Sequence, residues 1–272
     1  MSDPLLTVYD EQLRGAAEVT GARSWDRAGP LWRCKYADGG LVSYRSLAGL
    51  DRPAVEALVR ETVAHYAADP AMESFEWKTR GHDLPAELPQ WLEALGFVPE
   101  EVETVMIGEA ATLVDAPPPP PGVVIRRIDD HPDRVALLEA AAAMQAGVFG
   151  RGGDGAELLD RVERGQGNTE VWVAQAGGVV ISAGRLEIVP GTECAGLWGG
   201  ATLPEWRGRG LYRAMTAARA ASAMHRGVRY LHSDCTEMSR PILERSGLRK
   251  VTTTTPYIWT LRPDHGPGKS AD

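Results

Sequence analysis

Three features that define other classes of protein are missing from this sequence. Its 272 residues contain only three cysteines, Cys34, Cys194 and Cys235, and no CxxC pair, so neither a disulfide framework nor a zinc site is expected. No apolar run approaches the ~18–20 residues of a membrane helix, and the first residues have neither the basic nor the apolar region of a signal peptide. We therefore expect a cytoplasmic protein with no metal and no membrane partner.

Basic residues are also fewer than acidic residues. Lys and Arg number 29 against 37 Asp and Glu, which gives a formal net charge of −8. Because binding to nucleic acid needs a basic surface, we expect no nucleic-acid partner. The charge is uneven, since residues 1–120 carry a net −10 and the remaining residues a net +2. The two halves are expected to face different partners, although random variation of the surface would give the same imbalance.

Five consecutive prolines at positions 117–121 divide the chain. Such a run favours polyproline II, a stiff spacer that has no amide donors to continue a sheet. We therefore place a linker at residues 116–121, between a first domain at 1–115 and a second at 122–262. Residues 263–272 are polar and are expected to form a flexible tail.

The second half predicts a mixed sheet flanked by helices. Helical periodicity is present from about residue 133 to 144, again at 210–226 and briefly at 157–163 and 241–246. Apolar or β-branched runs predict strands at 123–125, 171–174, 179–189, 197–203, 228–232 and 251–261. The glycine pair at 177–178 predicts a tight hairpin turn between two of these strands.

The first half predicts a shorter version of the same order. Strands are expected at 31–37, 41–46, 74–79 and 102–107, and helices at 53–66 and 89–95. In both halves a helix ends at a glycine, Gly96 or Gly247, and an apolar residue and a strand follow. This similarity is consistent with an internal repeat, although helix ends at glycine are common in unrelated proteins.

The segment that indicates chemistry lies at residues 201–212, between a predicted strand and the long predicted helix. Gly208 and Gly210 allow a tight turn, and the first turn of a helix has unpaired N–H groups that favour an anion. Arg207 and Arg209 add positive charge, so the loop is suited to a pyrophosphate. The loop is not a Walker A motif, and Arg213 replaces the third glycine of a Rossmann motif. On spacing alone, an ordinary strand–helix turn remains an alternative.

The same segment resembles the acyl-CoA-binding loop of the GNAT superfamily of N-acetyltransferases, R/Q-x-x-G-x-G/A. Arg207, Gly210 and Tyr212 occupy its marked positions, and Tyr212 departs from the small final residue. The resemblance covers roughly residues 122–262 and implies an α/β (α+β) protein of two GNAT-like domains. Each domain would be a mixed, mostly antiparallel sheet flanked by helices. The first half resembles a degenerate copy that is not expected to bind CoA, because its loop at 47–52 lacks paired glycines.

The resemblance further implies that acetyl-CoA is the co-substrate and lies between the strands that end near Thr202 and Ser233. Backbone groups of Ala201, Thr202 and Leu203 would hold the pantetheine arm. The pyrophosphate would be held beside Arg207 by the loop amides, which belong to Gly208, Arg209, Gly210, Leu211 and Tyr212. A primary amine, on a small molecule or a peptide, would attack the thioester directly in a ternary complex.

The general acid and base do not transfer from the family, because Leu243 and Gly196 occupy the positions of its usual tyrosine and glutamate. Asp234 is the leading candidate base, and Glu193 and Tyr257 are further candidates. Each also has a structural explanation, as a cap or turn residue for Asp234, a solvated turn residue for Glu193 and a core tyrosine for Tyr257. The alternatives to an enzyme are a non-catalytic acyl-CoA-binding sensor and a partner-binding protein. The oligomeric state is open, and a homodimer is one alternative.

Overall fold

The computed structural model describes residues 3–36, 39–150 and 155–261. The tail predicted at 263–272 lies outside this part of the chain, as does Ala37, the predicted end of a strand. The helices of the described residues are α1 (Pro4–Gln12), α2 (Arg52–Ala67), α3 (Leu88–Ala94), α4 (Arg134–Phe149), α5 (Gly155–Arg164), α6 (Leu211–His225) and α7 (Arg240–Arg245). None of these helices is both long and apolar enough to cross a membrane.

Twelve strands are found in the same residues. Five belong to the first 100 residues: β1 (Ser24–Ala28), β2 (Leu31–Lys35), β3 (Gly40–Tyr44), β4 (Ser74–Arg80) and β5 (Val98–Pro99). The others are β6 (Glu103–Glu109), β7 (Val123–Arg127), β8 (Thr169–Ala176), β9 (Val179–Ile188), β10 (Cys194–Thr202), β11 (Tyr230–Cys235) and β12 (Arg249–Thr260). The structure confirms the mixed α/β class, and each helix and strand predicted from the sequence has a counterpart here. It adds α1, β1 and β5, for which no prediction was made.

The described chain forms two compact units that do not follow the predicted boundaries. Unit 1 contains residues 3–13 and 103–252, and unit 2 contains residues 14–102 and 253–261. The proline run lies within unit 1 and does not mark the division. The reason is that the last strand of each half of the sequence pairs with a strand of the other half. β6, the last strand of the first half, pairs antiparallel with β11 over six residues in unit 1, whereas β12 pairs from Thr254 onward with β4 in unit 2.

Unit 1 is a mixed sheet with strand order β6-β11-β10-β9-β8-β7, and the first residues of β12 lie next to β6. One face is covered by α6, whose Ala220 and Ala223 pack with Leu186 and Leu231. On the opposite face α4 and α5 cover β8 and β9, and α1 packs against β6 and β11 through Tyr9. The floor between α1 and α4 is formed by residues of β9, β10 and β11 that point away from α6.

Unit 2 is a second mixed sheet, with strand order β1-β2-β3-β4-β12 and β5 paired to β12. Its core is aromatic: Trp77 and Phe75 of β4 are fully buried together with Tyr66 of α2 and Leu92 of α3. A buried ionic cluster lies beside this core, where Asp83 accepts hydrogen bonds from Arg14 at 2.7 Å and from Tyr44 at 2.6 Å. Whether this half is a degenerate repeat stays a prediction.

The exchanged strands predict what proteolysis at the linker will do. A protease site inserted after Pro119 should yield two fragments that elute together from a sizing column, because β6 of the first fragment is hydrogen-bonded along β11 of the second. In denaturant the same fragments should separate, which is the control for complete cleavage. Fragments that separate in native buffer and remain folded would show two independent domains, divided as the sequence predicted.

Candidate active site

Two parallel strands of unit 1 come apart at the centre of its sheet. β10 and β11 are paired only from Cys194–Tyr230 to Gly196–His232, although β10 continues to Thr202. Just beyond the last pair, the Ser233 hydroxyl donates to the carbonyl of Leu197 at 2.9 Å. In the described residues the strands therefore form a wedge that opens toward the end of β10. Unpaired backbone on such an edge is suited to an extended ligand.

A bulge at Gly199 bends β10 at the point where the wedge opens. The register between β10 and β9 shifts between Trp198 and Ala201, and Gly199 has a φ of +60°. A Cβ on Gly199 would lie 2.9 Å from Nη1 of Arg185 and 2.9 Å from Nε2 of Gln145. Trp198 and Gly199 consequently present the same face, toward α4, as expected for a bulge with a left-handed glycine.

The backbone of β10 beyond the bulge faces alternately toward β9 and toward the wedge. The amide of Leu203 donates to the carbonyl of Ile181, and the carbonyl of Ala201 accepts from Ser182. The backbone groups of Ala201 and Leu203 therefore face β9. Of the three residues predicted to hold the pantetheine arm, Thr202 is the one whose backbone faces the wedge. By the same alternation Gly200, which was not predicted, also faces it.

The glycine loop follows directly. Gly208 and Gly210 have φ values of +71° and +79°, and no side chain among the described residues caps the first turn of α6. The N–H groups at this end of a 15-residue helix are therefore available to an anion. Pro117 of the proline run lies beside the loop, with its Cγ 3.6 Å from the position of a Cβ on Gly210.

The two loop arginines have partners within the protein. Arg207 donates from Nε to the carbonyl of Thr202 at 3.1 Å, and Arg209 stacks over the ring of Trp206 at 4.9 Å. Both side chains are exposed at the surface. They shape the loop and also leave it positively charged, which is the combination that a polyanion requires.

Tyr212 is the residue that departs from the family pattern, and its ring lies against β10. A Cβ on Gly200 would lie 3.0 Å from Cε2 and 3.2 Å from the hydroxyl of Tyr212. Burial raises the pKa of this tyrosine, and a hydrogen bond with the Ser239 side chain acts in the opposite direction. The loop thus fits a pyrophosphate, while the α6 side of the wedge is narrowed by an aromatic ring.

The opposite side of the wedge has a polar floor. Glu187, Gly196 and His232 lie side by side on β9, β10 and β11. In the next row Arg185 is paired with Trp198. The indole Nε1 of Trp198 lies over Gly196, in the space that a Cβ there would occupy. The indole ring also contacts His232 edge-on, with 5.3 Å between the ring centroids. Asp234 follows His232 by two residues on β11, so it points to this same face.

The three predicted catalytic residues belong to different parts of the fold. Asp234 lies on the floor. Glu193 precedes β10 at the end away from the wedge, and its carbonyl accepts from the amides of Arg229 and Tyr230. Tyr257 belongs to unit 2, where it is 5% exposed and its hydroxyl lies 3.4 Å from Glu93. Burial and the Glu93 carboxylate raise the pKa of Tyr257.

Sequence reasoning did not identify Arg185, Glu187 and Trp198 as site residues. The available signal was the presence of two charged residues at alternate positions near the end of an otherwise apolar strand. Cys235 is placed on the other face, in the core under α6. Burial raises the pKa of its thiol to about 12, which opposes a role as a thiolate nucleophile. No group of three or more side chains suited to a metal ion occurs in the described part of the chain.

Comparison with known proteins finds a family model that matches part of the chain. Residues 139–245 match the family model of the acetyltransferase (GNAT) family. This segment begins within α4, ends with α7 and includes the glycine loop. The match supports acyl transfer in general, and acetyl-CoA is the co-substrate of that family. No curated protein sequence matches the chain.

Solved structures share the fold at low sequence identity. A GCN5-related N-acetyltransferase from Kribbella flavida is 17% identical with a TM-score of 0.67, over 90% of this chain and 95% of that one. One from Sphaerobacter thermophilus is 16% identical with a TM-score of 0.63, over 86% and 78%. A tandem GNAT protein from the clavulanic acid biosynthesis pathway is 14% identical with a TM-score of 0.62, over 88% and 82%.

The bulge predicts a difference between two glycine substitutions. Gly199→Ala should reduce the free energy of unfolding by about 2–4 kcal/mol, since it adds both a left-handed alanine and contacts with Arg185 and Gln145. Gly191→Ala, at a φ of +76° with no atom within 4 Å of the new Cβ, should cost about 1 kcal/mol. Urea unfolding measures both. Equal losses would show that the floor does not pack against Gly199.

Proposed function

We propose that unit 1 transfers the acetyl group of acetyl-CoA to a primary amine by direct attack within a ternary complex. The observation that carries this proposal is the wedge between β10 and β11, which opens beside an uncapped helix with two left-handed glycines. An extended arm ending in a pyrophosphate matches this combination, because the strand edge and the helix end supply backbone donors to both parts.

The residues that would hold acetyl-CoA follow from the backbone directions. Amides of Gly208 to Tyr212 would bind the pyrophosphate, and the wedge-facing groups of Gly200 and Thr202 would bind the arm and the thioester carbonyl. Bound acetyl-CoA supplies an activated acyl group. Since Arg207 already donates to the carbonyl of Thr202, the Thr202 amide is the group left to the ligand.

The floor would receive the amine. Asp234 is the proposed general base: its carboxylate accepts a proton from the amine as the nitrogen–carbon bond forms. The carbon–sulfur bond breaks, and the thiolate takes a proton from solvent or from a nearby donor. Much of the rate would come from holding amine and thioester together, a contribution of up to ~7–11 kcal/mol in well-oriented systems.

A sensor that binds acyl-CoA without turnover is the second candidate. It is favoured by Leu243 and Gly196 at the positions where the family usually has its acid and base, and by the ring of Tyr212 beside Gly200. Turnover separates the two functions, because only the enzyme releases free CoA when amines are supplied.

Calorimetric titration with acetyl-CoA tests the site. We expect saturable micromolar binding that is lost in Gly210→Trp, because the indole would cover the N–H groups at the start of α6. Gly227→Trp is the matched control, since Gly227 has the same φ of +79° and follows the other end of α6. If the wild type does not bind, or if both variants bind equally, the glycine loop is only a turn and both functions fall.

An amine panel with detection of released thiol tests the base. Asp234→Asn should lower kcat by about 10²–10⁴-fold, the usual contribution of a positioned base, and should leave acetyl-CoA affinity unchanged. Glu193→Gln, at the far end of β10, should have little effect. An unchanged kcat in Asp234→Asn at every pH would remove this carboxylate from the mechanism.

A further inference from the structure

We propose that the acceptor is an amine that also carries a carboxylate, of the amino-acid class, and that Arg185 binds this carboxylate. The inference rests on the proposed function and specifies its substrate. It depends on where β9 places Arg185, on the hydrogen bonds that its guanidinium makes, and on the charges around it.

Arg185 lies at the mouth of the wedge. It is paired with Trp198 of β10, and its Nη1 lies 2.9 Å from the position of a Cβ on Gly199. The absence of a side chain at Gly199 therefore leaves room for the guanidinium at the bulge. Gln145 of α4 donates to the carbonyl of Gly199 from the same side, so the group lies between the floor and α4.

The terminal N–H groups of the Arg185 guanidinium are available to a ligand. Its Nε donates to Glu187 at 2.9 Å, and within residues 3–36, 39–150 and 155–261 no other acceptor is bonded to this side chain. The side chain is 19% exposed, so the terminal N–H groups are partly withdrawn from water and still accessible. A planar fork of donors at a site of lowered dielectric matches a carboxylate in a bidentate arrangement.

The surrounding charges narrow the class further. Among the described residues of β9, β10 and β11 that point away from α6, the carboxylates are Glu187 and Asp234 and the guanidinium is Arg185. A phosphate with two negative charges would be repelled by the two carboxylates, and a polyamine would be repelled by Arg185. A molecule with one ammonium and one carboxylate can pair its ammonium with the carboxylates of the floor and its carboxylate with Arg185.

The spacing suits a molecule of this size. Arg185 and Glu187 are two residues apart on one strand, a separation of about 7 Å between their Cα atoms. With the carboxylate at Arg185, the amine of a bound amino acid would lie over the face of the sheet that carries Glu187, His232 and Asp234. This is the side of the wedge on which the proposed base lies.

The experiment compares acceptors that differ in the carboxylate alone. A set of amino acids and their carboxamides is tested at saturating acetyl-CoA with wild type, Arg185→Gln and Arg185→Lys. We expect the wild type to prefer the acids. Arg185→Gln should raise KM for an acid about 10–100-fold, the loss expected for a charge-assisted bond, with a smaller change in kcat. Arg185→Lys should recover part of the loss, and KM for the carboxamides should not rise.

Calorimetric binding of the N-acetylated acid to the protein provides a readout that does not need turnover, and Arg185→Gln should weaken it by a similar factor. Arg229→Gln, an exposed arginine paired with Glu109, is the control and should change neither measurement. If acids and carboxamides are used equally, or if Arg185→Gln affects both alike, the inference is wrong while the proposed function stands. If acetyl-CoA binds and no amine is acetylated, the proposed function fails and this inference fails with it.

Discussion

The short parallel pairing of β10 with β11 is the constraint on which the rest of unit 1 depends. Three residue pairs hold the strands together, and the left-handed Gly199 then bends β10 away from its neighbour. A sheet interior that opens in this way loses backbone hydrogen bonds, which is costly unless other groups satisfy them. Only a strand anchored firmly on its other edge tolerates such a gap, and both strands are anchored, β10 by β9 and β11 by β6.

The residues of the floor are held in place because their strands are hydrogen-bonded to these neighbours. On the α6 side, Arg219 is 2% exposed and donates to the carbonyl of Arg185 at 3.1 Å. Burial lowers the pKa of Arg219, yet a guanidinium remains charged at neutral pH. Arg219 thus fixes the backbone of Arg185 from the face of the sheet that α6 covers. The Arg185 side chain is positioned by β9 itself and not by a loop, which favours a precise contact with a substrate.

Periodicity and glycine spacing predicted the elements of the second half and the loop, because these signals are local. The exchange of β6 and β12 between the units was not predictable in this way, since both are β-rich segments after similar helix ends and their partners are distant in sequence. Local patterns likewise predicted a strand at 228–232 that ends just before Asp234, whereas β11 includes this residue. They did not predict the row of Glu187, Gly196 and His232, which exists only through strand register.

Tyr212 and Gly200 show how a departure from a motif can be compensated elsewhere. The ring of Tyr212 fits against β10 because Gly200 has no Cβ, and the Cβ of any other residue would lie 3.0 Å from the ring. The two positions therefore act as a pair, in which a small strand residue accepts a large helix residue. Since the ring extends from the first turn toward the strand, the N–H groups at the start of α6 stay uncovered. The end of the site suited to phosphate is thus retained while the space beside the strand is reshaped. A motif judged at its final residue alone would have missed this, because the compensating glycine lies twelve residues earlier in the chain.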